Sequence, residues 1–240
     1  MVKIAAPKVE VLTPLDGDAI LKHLELCARN CYKSEDKITA DSARQMVRKL
    51  LELGHEAMIE HYNLTVKLTC DMGVYKDLTR HRHVSYAIES TRYCNYSKGK
   101  FGNELTVMKP CHIKEGTPEY QIWLSTMETI EKNYNAMAEL GCKPDQLRML
   151  LPHSIKADVI MTANLREWRH IFKLRCAPAA HPTVQEVMKM LLGTLKREIP
   201  VIFDDIPYDC PALVRRKMVL DNWDSGINRD LPGYIGTPFY

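Results

Sequence analysis

Residues 80–93 read RHRHVSYAIESTRY and carry the most unusual pattern of the chain. They hold three arginines, two histidines and two serines, and the wider window 76–100 has a net charge of +4 from six basic and two acidic residues. The whole chain of 240 residues has a net charge of only +3, so the positive charge is concentrated in this window. Arginines interleaved with Tyr86, Ser90 and Tyr93 favour a site for a planar ligand that carries phosphate. A solvated basic face is the alternative that charge alone leaves open.

The rest of the composition is that of an ordinary globular protein. With 45% hydrophobic and 26% charged residues, the chain is long enough for one large domain or two small ones. No run approaches the ~18 apolar residues that a membrane span needs, and residues 1–10 lack the apolar core of an export signal. Eight scattered cysteines without a Cys-x-x-Cys pair favour reduced thiols in a cytoplasmic protein over disulfides or zinc. Because the basic charge is local, composition does not favour nucleic acid.

Hydrophobic spacing predicts the elements around the basic window. Alternation of apolar with polar residues over 62–70 is typical of a half-buried strand, whose inward positions are Leu64, Val66, Leu68 and Cys70. Helical spacing predicts helices at 15–32, 41–53, 118–141, 166–174 and 183–200, and shorter helices after 71 and 144. Extended segments are expected at 105–108 and 158–163. Residues 201–240 show little periodicity and are predicted to be a C-terminal tail of unknown role.

Local signals refine these helices. Asp41 is expected to cap the second helix, and Thr183 to open a capping box at the start of the last one. Cys27 and Cys31 lie one helical turn apart and are expected on a buried face.

A second polar cluster, GHEAMIEH at 54–61, invites comparison with zinc proteases. Those enzymes place two histidines four residues apart on one helical face, with a glutamate between them. Here His55 and His61 are six apart, so metal hydrolysis is not favoured. A polar turn between a helix and a strand is the structural alternative.

A third cluster lies at 164–175. Arg166, Arg169 with His170, and Lys173 fall on one basic stripe of the predicted helix. Such a stripe is typical of a solvated face, or of a contact with an anion such as a flavin pyrophosphate. Trp168 and Phe172 are expected in the core. No Gly-x-Ser-x-Gly elbow is present, and Ser90 among cations suits a phosphate ligand better than a nucleophile.

The three clusters agree in order and spacing with one enzyme family. That family's motif is Arg-His-Arg, seven residues, then Ser, and here Arg80-His81-Arg82 precede Ser90 by that spacing. Its other motifs match Gly54-His55-Glu56 with Glu60-His61, the segment 148–152, and Asn164-Leu165-Arg166 with Leu174-Arg175. In these features, from about Arg29 to Pro200, the chain resembles the flavin-dependent thymidylate synthases.

The resemblance implies an α/β (α+β) fold, with a mixed, largely antiparallel sheet packed against long helices in a single domain over 1–240. It also implies a homotetramer with flavin sites at subunit interfaces. The implied reaction is the reductive methylation of dUMP to dTMP, with 5,10-methylenetetrahydrofolate as carbon donor and FAD reduced by NADPH. No metal, nucleic acid or membrane is implied.

The family pattern also assigns roles to residues. Arg175 matches the catalytic position at the uracil ring. The positions expected to bind FAD are His55, Ala57, Glu60, Arg80, His81, Arg82, Asn164, Leu165, Arg166 and His170. Those expected to bind dUMP are Asp77, Arg80, Glu89, Ser90, Thr91, Arg92, Arg148 and Arg175.

Several positions depart from the family pattern. Asp77 stands where glutamine is frequent, Ile88 where Glu or Gln is common, and Ala57 where a hydroxyl residue is frequent. Glu89, beside Ile88, is expected to substitute through a local shift. The loop 176–182 is longer than usual, which leaves open whether His181 reaches the site.

Two rival functions remain open on the sequence. The first is a nucleic-acid-binding module that uses the 76–100 window with Tyr86, Tyr93 and Tyr96 as stacking groups. The second is a structural metal site built from His55, His81, His83 and cysteines.

Overall fold

The computed structural model describes residues 2–97 and 104–208, and a four-stranded antiparallel sheet lies at its centre. In spatial order the strands are β2 (Lys8–Val11), β3 (Asn63–Asp71), β6 (Lys156–Asn164) and β4 (Ser85–Ile88). A parallel pair, β1 (Lys3–Ala5) and β5 (Thr106–Met108), joins it through a bridge between Val107 and Ile155. The predicted mixed, largely antiparallel sheet is therefore confirmed.

The helices of the fold match most of the predicted ones. They are α1 (Gly17–Asn30), α2 (Ser42–Glu52), α3 (Met72–Leu78), α4 (Pro118–Glu139), α5 (Pro144–Leu147), α6 (Leu165–Arg175) and α7 (Pro182–Glu198). Short 3-10 helices occur at Glu35–Lys37, Glu56–His61 and Arg148–Leu150. Among the described residues, no helix is both long enough and apolar enough to cross a membrane.

The alternation in β3 explains why the sheet forms where it does. Its inward residues are buried, from Leu64 to Cys70, while its outward residues are partly exposed. β6 repeats this pattern and pairs with β3 along its full length, from Asn63 opposite Asn164 to Asp71 opposite Lys156. Two aligned alternating strands bury one continuous apolar face, which α6 and α7 cover.

Two local predictions, one about a helix end and one about a helix face, are wrong. α7 begins at Pro182, and the ring of His181, not Thr183, caps it by accepting the Thr183 N–H. Asp41 is the N-cap residue of α2, as predicted, although its side chain accepts no capping hydrogen bond. Cys31 is exposed and Cys27 only partly buried, so they do not form a core face of α1. These features depend on how each helix end meets its neighbours, which local composition does not encode.

The core extends beyond the predicted boundary at residue 200. Val201, Ile202, Phe203 and Ile206 are all buried in the same apolar cluster as β3, β6, α6 and α7. The ring of Phe203 packs edge-on against Phe172, with centroids 5.5 Å apart. Residues 201–208 are therefore part of the packed fold, and the predicted tail over 209–240 lies outside the described residues.

Candidate functional site

Arg175, the last residue of α6, is held in place on two edges of its guanidinium group. Its Nε donates a hydrogen bond of 3.0 Å to Nε2 of His81, and its Nη2 donates one of 2.7 Å to the backbone carbonyl of Asp77. Two contacts to different nitrogens fix both the position and the plane of the group. Neither of these two contacts uses Nη1, so the two N–H donors of Nη1 are left for a ligand.

His81 is the buried centre of this cluster. Its Nε2 accepts from Arg175, so the neutral ring carries its proton on Nδ1, which lies 3.4 Å from Oε1 of Glu167. The ring of His170 meets it edge-on at 5.6 Å between centroids. Burial first, and then the charges of Arg175 and His170, lower the pKa of His81 to about 4. The distance to Glu167 would suit an ion pair, but the imidazole is neutral. The contact is therefore between the N–H dipole of the His81 ring and the negative charge of the Glu167 carboxylate.

The same protonation argues against a metal at this cluster. His81, Glu167 and His170 offer ligand atoms within 4.8 Å of one another. The one lone pair of the neutral His81 ring is already used by Arg175, and the other nitrogen carries the proton. A metal would have to displace the arginine, so this is not a ready-made metal site.

A network of charges joins α6 to the 3-10 helix Glu56–His61. Nη1 of Arg166 donates to Oε1 of Glu60 at 2.5 Å, while Arg169 donates to Oε1 of Glu56 from Nε and Nη2 at 3.2 and 3.1 Å. Lys173 lies 3.7 Å from the same Glu56 oxygen. The predicted stripe of Arg166, Arg169 and Lys173 thus exists, but its solvated character is wrong for Arg169, whose side chain is only 2% exposed.

The turn after β4 presents the residues expected to hold the nucleotide phosphate. The Arg92 N–H donates to Oγ of Ser90 at 3.3 Å, and the exposed Arg92 guanidinium lies 5.6 Å from the ring centroid of Tyr93. Thr91 lies between them and is partly buried. Arg148 is exposed at the start of its 3-10 helix.

Glu89, also expected to contact the nucleotide, is engaged within the chain. Its carboxylate accepts hydrogen bonds from Nζ of Lys156 (2.8 Å), the N–H of Asp158 (3.1 Å) and the hydroxyl of Tyr96 (3.1 Å). A nucleotide would have to replace one of these contacts, so the structure gives Glu89 a bracing role between β4 and β6. Its contact with dUMP stays a prediction.

The other expected cofactor residues divide into exposed and structural ones. His55 and Ala57 are exposed at the 3-10 helix, and Arg80 and Arg82 are exposed beside His81. Asn164 caps α6, since its side chain accepts the Glu167 N–H at 2.9 Å. The Leu165 side chain is fully buried in the core and its N–H donates to the Tyr62 carbonyl, so neither group is available to a flavin.

The α6 charge network and the turn after β4 lie at opposite ends of the central sheet. The charge network and Asn164 lie at one end of β6, whereas Ser90 follows β4 at the level of Asp158. Six residues of strand separate Asn164 from Asp158, which is about 20 Å at 3.4 Å per residue. Within residues 2–97 and 104–208, no hydrogen bond or ion pair links Ser90, Arg92 or Arg148 to the Arg175 cluster.

Asp77 also lines a cavity of about 410 Å³. It is lined by Trp123, His112, His153 and His181, and the rings of His112 and His181 meet at right angles with centroids 5.3 Å apart. Asp77 lines this cavity together with His181 and holds Arg175 through its backbone carbonyl, and a contact of His181 with the site stays a prediction. Sequence reasoning missed His112 and His153, although His153 directly follows the matched segment 148–152.

Both rival functions lose groups they require. The Tyr86 ring is partly buried against the core and its hydroxyl donates to the carbonyls of Leu78 and His81, while Tyr96 is only 5% exposed, so neither is a freely exposed stacking group. Tyr93 is exposed. Nε2 of His81 already accepts a hydrogen bond from Arg175, so the hypothesis of a structural metal site loses its central ligand.

Comparison with known proteins identifies the family. A family model described as thymidylate synthase complementing protein matches residues 18–201. A flavin-dependent thymidylate synthase of Pyrococcus abyssi is 32% identical over 168 residues, which cover 69% of this chain and 68% of the relative. The chain belongs to the flavin-dependent thymidylate synthase family. It is thus a member of a family of enzymes, as the resemblance in its motifs predicts.

Other members and solved structures agree with this family assignment. The flavin-dependent thymidylate synthase of Geobacter sulfurreducens is 27% identical over 206 residues, covering 80% of this chain and 87% of that protein. The fold is shared with a thymidylate synthase of Helicobacter pylori solved with FAD and dUMP (TM-score 0.67, 19% identity, 83% of this chain and 98% of that one). It is shared equally with a UMP/dUMP methylase of Streptomyces cacaoi (TM-score 0.67, 18% identity, 85% and 95%).

Proposed function

We propose that this chain methylates dUMP to dTMP reductively, for thymidylate biosynthesis, with FAD as cofactor, NADPH as reductant and 5,10-methylenetetrahydrofolate as carbon donor. The observation that carries the proposal is the Arg175 guanidinium, which is held on two edges and makes no hydrogen bond through Nη1 within residues 2–97 and 104–208. Family membership supplies the reaction, and this geometry supplies the electrostatic group that the reaction needs. The predicted cytoplasmic location stays a prediction.

Methylation at C5 of uracil requires that carbon to become electron-rich. A guanidinium fixed beside N3 and a ring carbonyl stabilises the negative charge that develops on the oxygen and nitrogen. Because an arginine keeps its proton at any working pH, Arg175 acts as a fixed charge and donor, not as a base. The contacts to His81 and Asp77 orient it in advance, so little reorganisation is required when substrate binds.

The residues around His81 suit a flavin dinucleotide. Within the described part of the chain, the exposed Arg80 and Arg82 make no hydrogen bond or ion pair, so both are available to the pyrophosphate. The exposed His170 lies next to His81, and the pair Arg166–Glu60 with the exposed His55 and Ala57 offers further surface at the 3-10 helix Glu56–His61. When bound, the flavin supplies the hydride and one-carbon chemistry that no side chain provides.

The turn at 90–92 and Arg148 suit a nucleotide monophosphate. Its phosphate carries about two negative charges, for which arginine forks and a hydroxyl are natural ligands. Arg92 and Ser90 already share one turn through the contact of 3.3 Å. Asp77 contributes through its backbone carbonyl, which holds Arg175, so the aspartate side chain at this position does not disturb that contact.

We also propose that the site is completed in a homotetramer. Asn164, at the start of the α6 charge network, and the level of the Ser90 turn lie about 20 Å apart along the sheet, and a second copy would bring the two kinds of surface together. A solution mass of four times the 27.6 kDa chain is expected. A monomer with full activity would contradict this part of the proposal.

An absorbance spectrum and an NADPH oxidation assay test the function. We expect a yellow protein whose NADPH oxidation depends on, or is stimulated by, dUMP, with dTMP formed when the folate is present. Arg175→Ala should retain the flavin and lower turnover by about 100-fold or more, whereas Arg44→Ala on α2 should change neither. Ser90→Ala should raise the KM for dUMP without abolishing turnover, because Ser90 forms no covalent bond. A colourless protein that binds no added FAD would refute the proposal.

A further inference from the structure

One of the two contacts that orient Arg175 requires His81 to accept a hydrogen bond from its Nε. The contact of 3.0 Å requires a lone pair on Nε2 of His81, because arginine can only donate. A neutral imidazole has a lone pair on one nitrogen and a proton on the other. In the opposite tautomer, two N–H groups would face each other and the contact would become repulsive. The orientation of Arg175 therefore depends on which nitrogen of a buried ring carries the proton.

Glu167 is the group that faces the protonated nitrogen. Its Oε1 lies 3.4 Å from Nδ1 of His81, and both side chains are largely buried. The other close groups do not compete: His170 presents a ring edge at 5.6 Å, and Tyr86 donates to the backbone carbonyl of His81. A carboxylate in a poorly solvated setting attracts the N–H dipole and stabilises that tautomer.

Glu167 and Arg175 reach the same ring from one helix. Eight residues separate them on α6, about two helical turns. The sequence hides this role, since an Asn164-x-x-Glu167 pattern is typical of a helix cap. In the structure Asn164 does cap the Glu167 N–H, yet the Glu167 carboxylate faces His81.

We propose that Glu167 is a positioning residue: by holding the proton of His81 on Nδ1, it keeps Nε2 free to receive Arg175 and so orients the guanidinium toward the pyrimidine. No proton moves and no bond is made or broken; the effect is on orientation alone. This inference rests on the proposed function, because that function identifies the pyrimidine that Arg175 contacts as the uracil of dUMP. The tautomer and the contact are properties of the chain itself and are tested separately.

The first test is the nitrogen-15 imidazole spectrum of protein labelled at histidine. The signals of His81 are assigned by their loss in His81→Gln. We expect a protonated Nδ1 and an unprotonated Nε2 at neutral pH in the unmodified protein. A proton on Nε2, or a charged ring, would overturn the proposal. This measurement requires neither dUMP nor turnover, so its outcome stands even if the proposed reaction is not observed.

The second test compares Glu167→Ala with Glu167→Gln. The glutamine variant keeps an amide oxygen within reach of the Nδ1 hydrogen, and the negative end of that amide dipole should preserve the tautomer and most of kcat. The alanine variant should show mixed tautomers and a kcat lowered by about 10- to 100-fold, with a smaller change in KM for dUMP and flavin retained. Glu25→Gln is the matched control, since Glu25 is a buried carboxylate paired with Arg29 on α1.

Each remaining outcome has a definite meaning. Equal losses of kcat in both Glu167 variants, with the His81 tautomer unchanged, would show that Glu167 acts through packing and would overturn the proposal. Unchanged kcat in the alanine variant would do the same. If the unmodified protein shows no turnover with dUMP, the proposed function fails, and the imidazole spectra alone decide the role of Glu167.

Discussion

Replacing Asp205 by alanine tests whether residues after 200 hold the candidate site together. Both carboxylate oxygens of Asp205 accept hydrogen bonds from the buried Arg169. Oδ1 lies 2.6 Å from Nη1, and Oδ2 lies 2.7 Å from Nη2. Arg169 also donates to the carbonyl of Ile202 and to Glu56, which belongs to the 3-10 helix beside the expected flavin site. The segment 201–208 is thereby tied to the site through one arginine.

The expected loss of stability follows from the burial of each partner. Removing one member of a fully buried ion pair costs about 3–5 kcal/mol, because the other charge is left without a partner. Here the Arg169 side chain is 2% exposed, but that of Asp205 is 56% exposed, and Glu56 remains to neutralise the arginine. We therefore discount the loss to about 2 kcal/mol.

Urea unfolding at a fixed protein concentration measures this loss. With a slope of about 2 kcal/mol per molar urea, the midpoint of Asp205→Ala should fall by about 1 M. Glu115→Ala removes the exposed partner of Lys109 and should leave the midpoint unchanged. If Asp205→Ala unfolds at the same urea concentration as this control and the unmodified protein, the reasoning is wrong.

The stability difference between the unmodified protein and Asp205→Ala should depend on pH, and the direction of that dependence can be predicted. The hydrogen bonds and charge of Arg169 hold the pKa of Asp205 below the ordinary value of 3.8. A carboxylate whose pKa is lowered by folding stabilises the protein above its unfolded pKa and loses that effect as the pH falls through its folded pKa. The stability difference between the unmodified protein and Asp205→Ala should be constant near neutral pH and shrink in acid below 3.8.

Two further substitutions test the core and the support of His81. Leu64→Ala, at a fully buried position in β3, should lower the free energy of unfolding by about 2–5 kcal/mol. Leu53→Ala is the control, because Leu53 is 58% exposed. Equal losses of stability in the two variants would contradict the assignment of Leu64 to the buried face of β3. Tyr86→Phe removes the hydroxyl that donates to the carbonyls of Leu78 and His81, and should cost about 1–2 kcal/mol in the same assay. A phenylalanine variant as stable as the unmodified protein would show that water satisfies those carbonyls equally well.

Local patterns predicted the elements well where one period extended over several residues. The alternation from Leu64 to Cys70 predicted β3 and its buried face, because a strand turns successive side chains to opposite sides. Helix ends were harder. His181 caps α7 in place of Thr183, since the chain direction before Pro182 decides which group reaches the first free N–H.

Burial of charge was the feature that local patterns missed. Arg169 shares a helical stripe with exposed Arg166 and Lys173, yet it is covered because Asp205 and Ile202 pack over it from a segment 33–36 residues away. Residues 201–206 themselves offered too short an apolar run for any period to show. Spacing within a helix predicts which residues share a face, but not what covers that face.

The sequence by itself determined the family motifs, the principal strand and helices, and the residue types available for phosphate and flavin, because these depend on order and short-range spacing. The tertiary structure alone decided that Arg175 meets His81 and Asp77, that Glu167 faces the other side of that ring, and that residues 201–208 belong to the core. Those contacts join residues that are distant along the chain. Their protonation states and energies follow from the burial that only the packed fold creates.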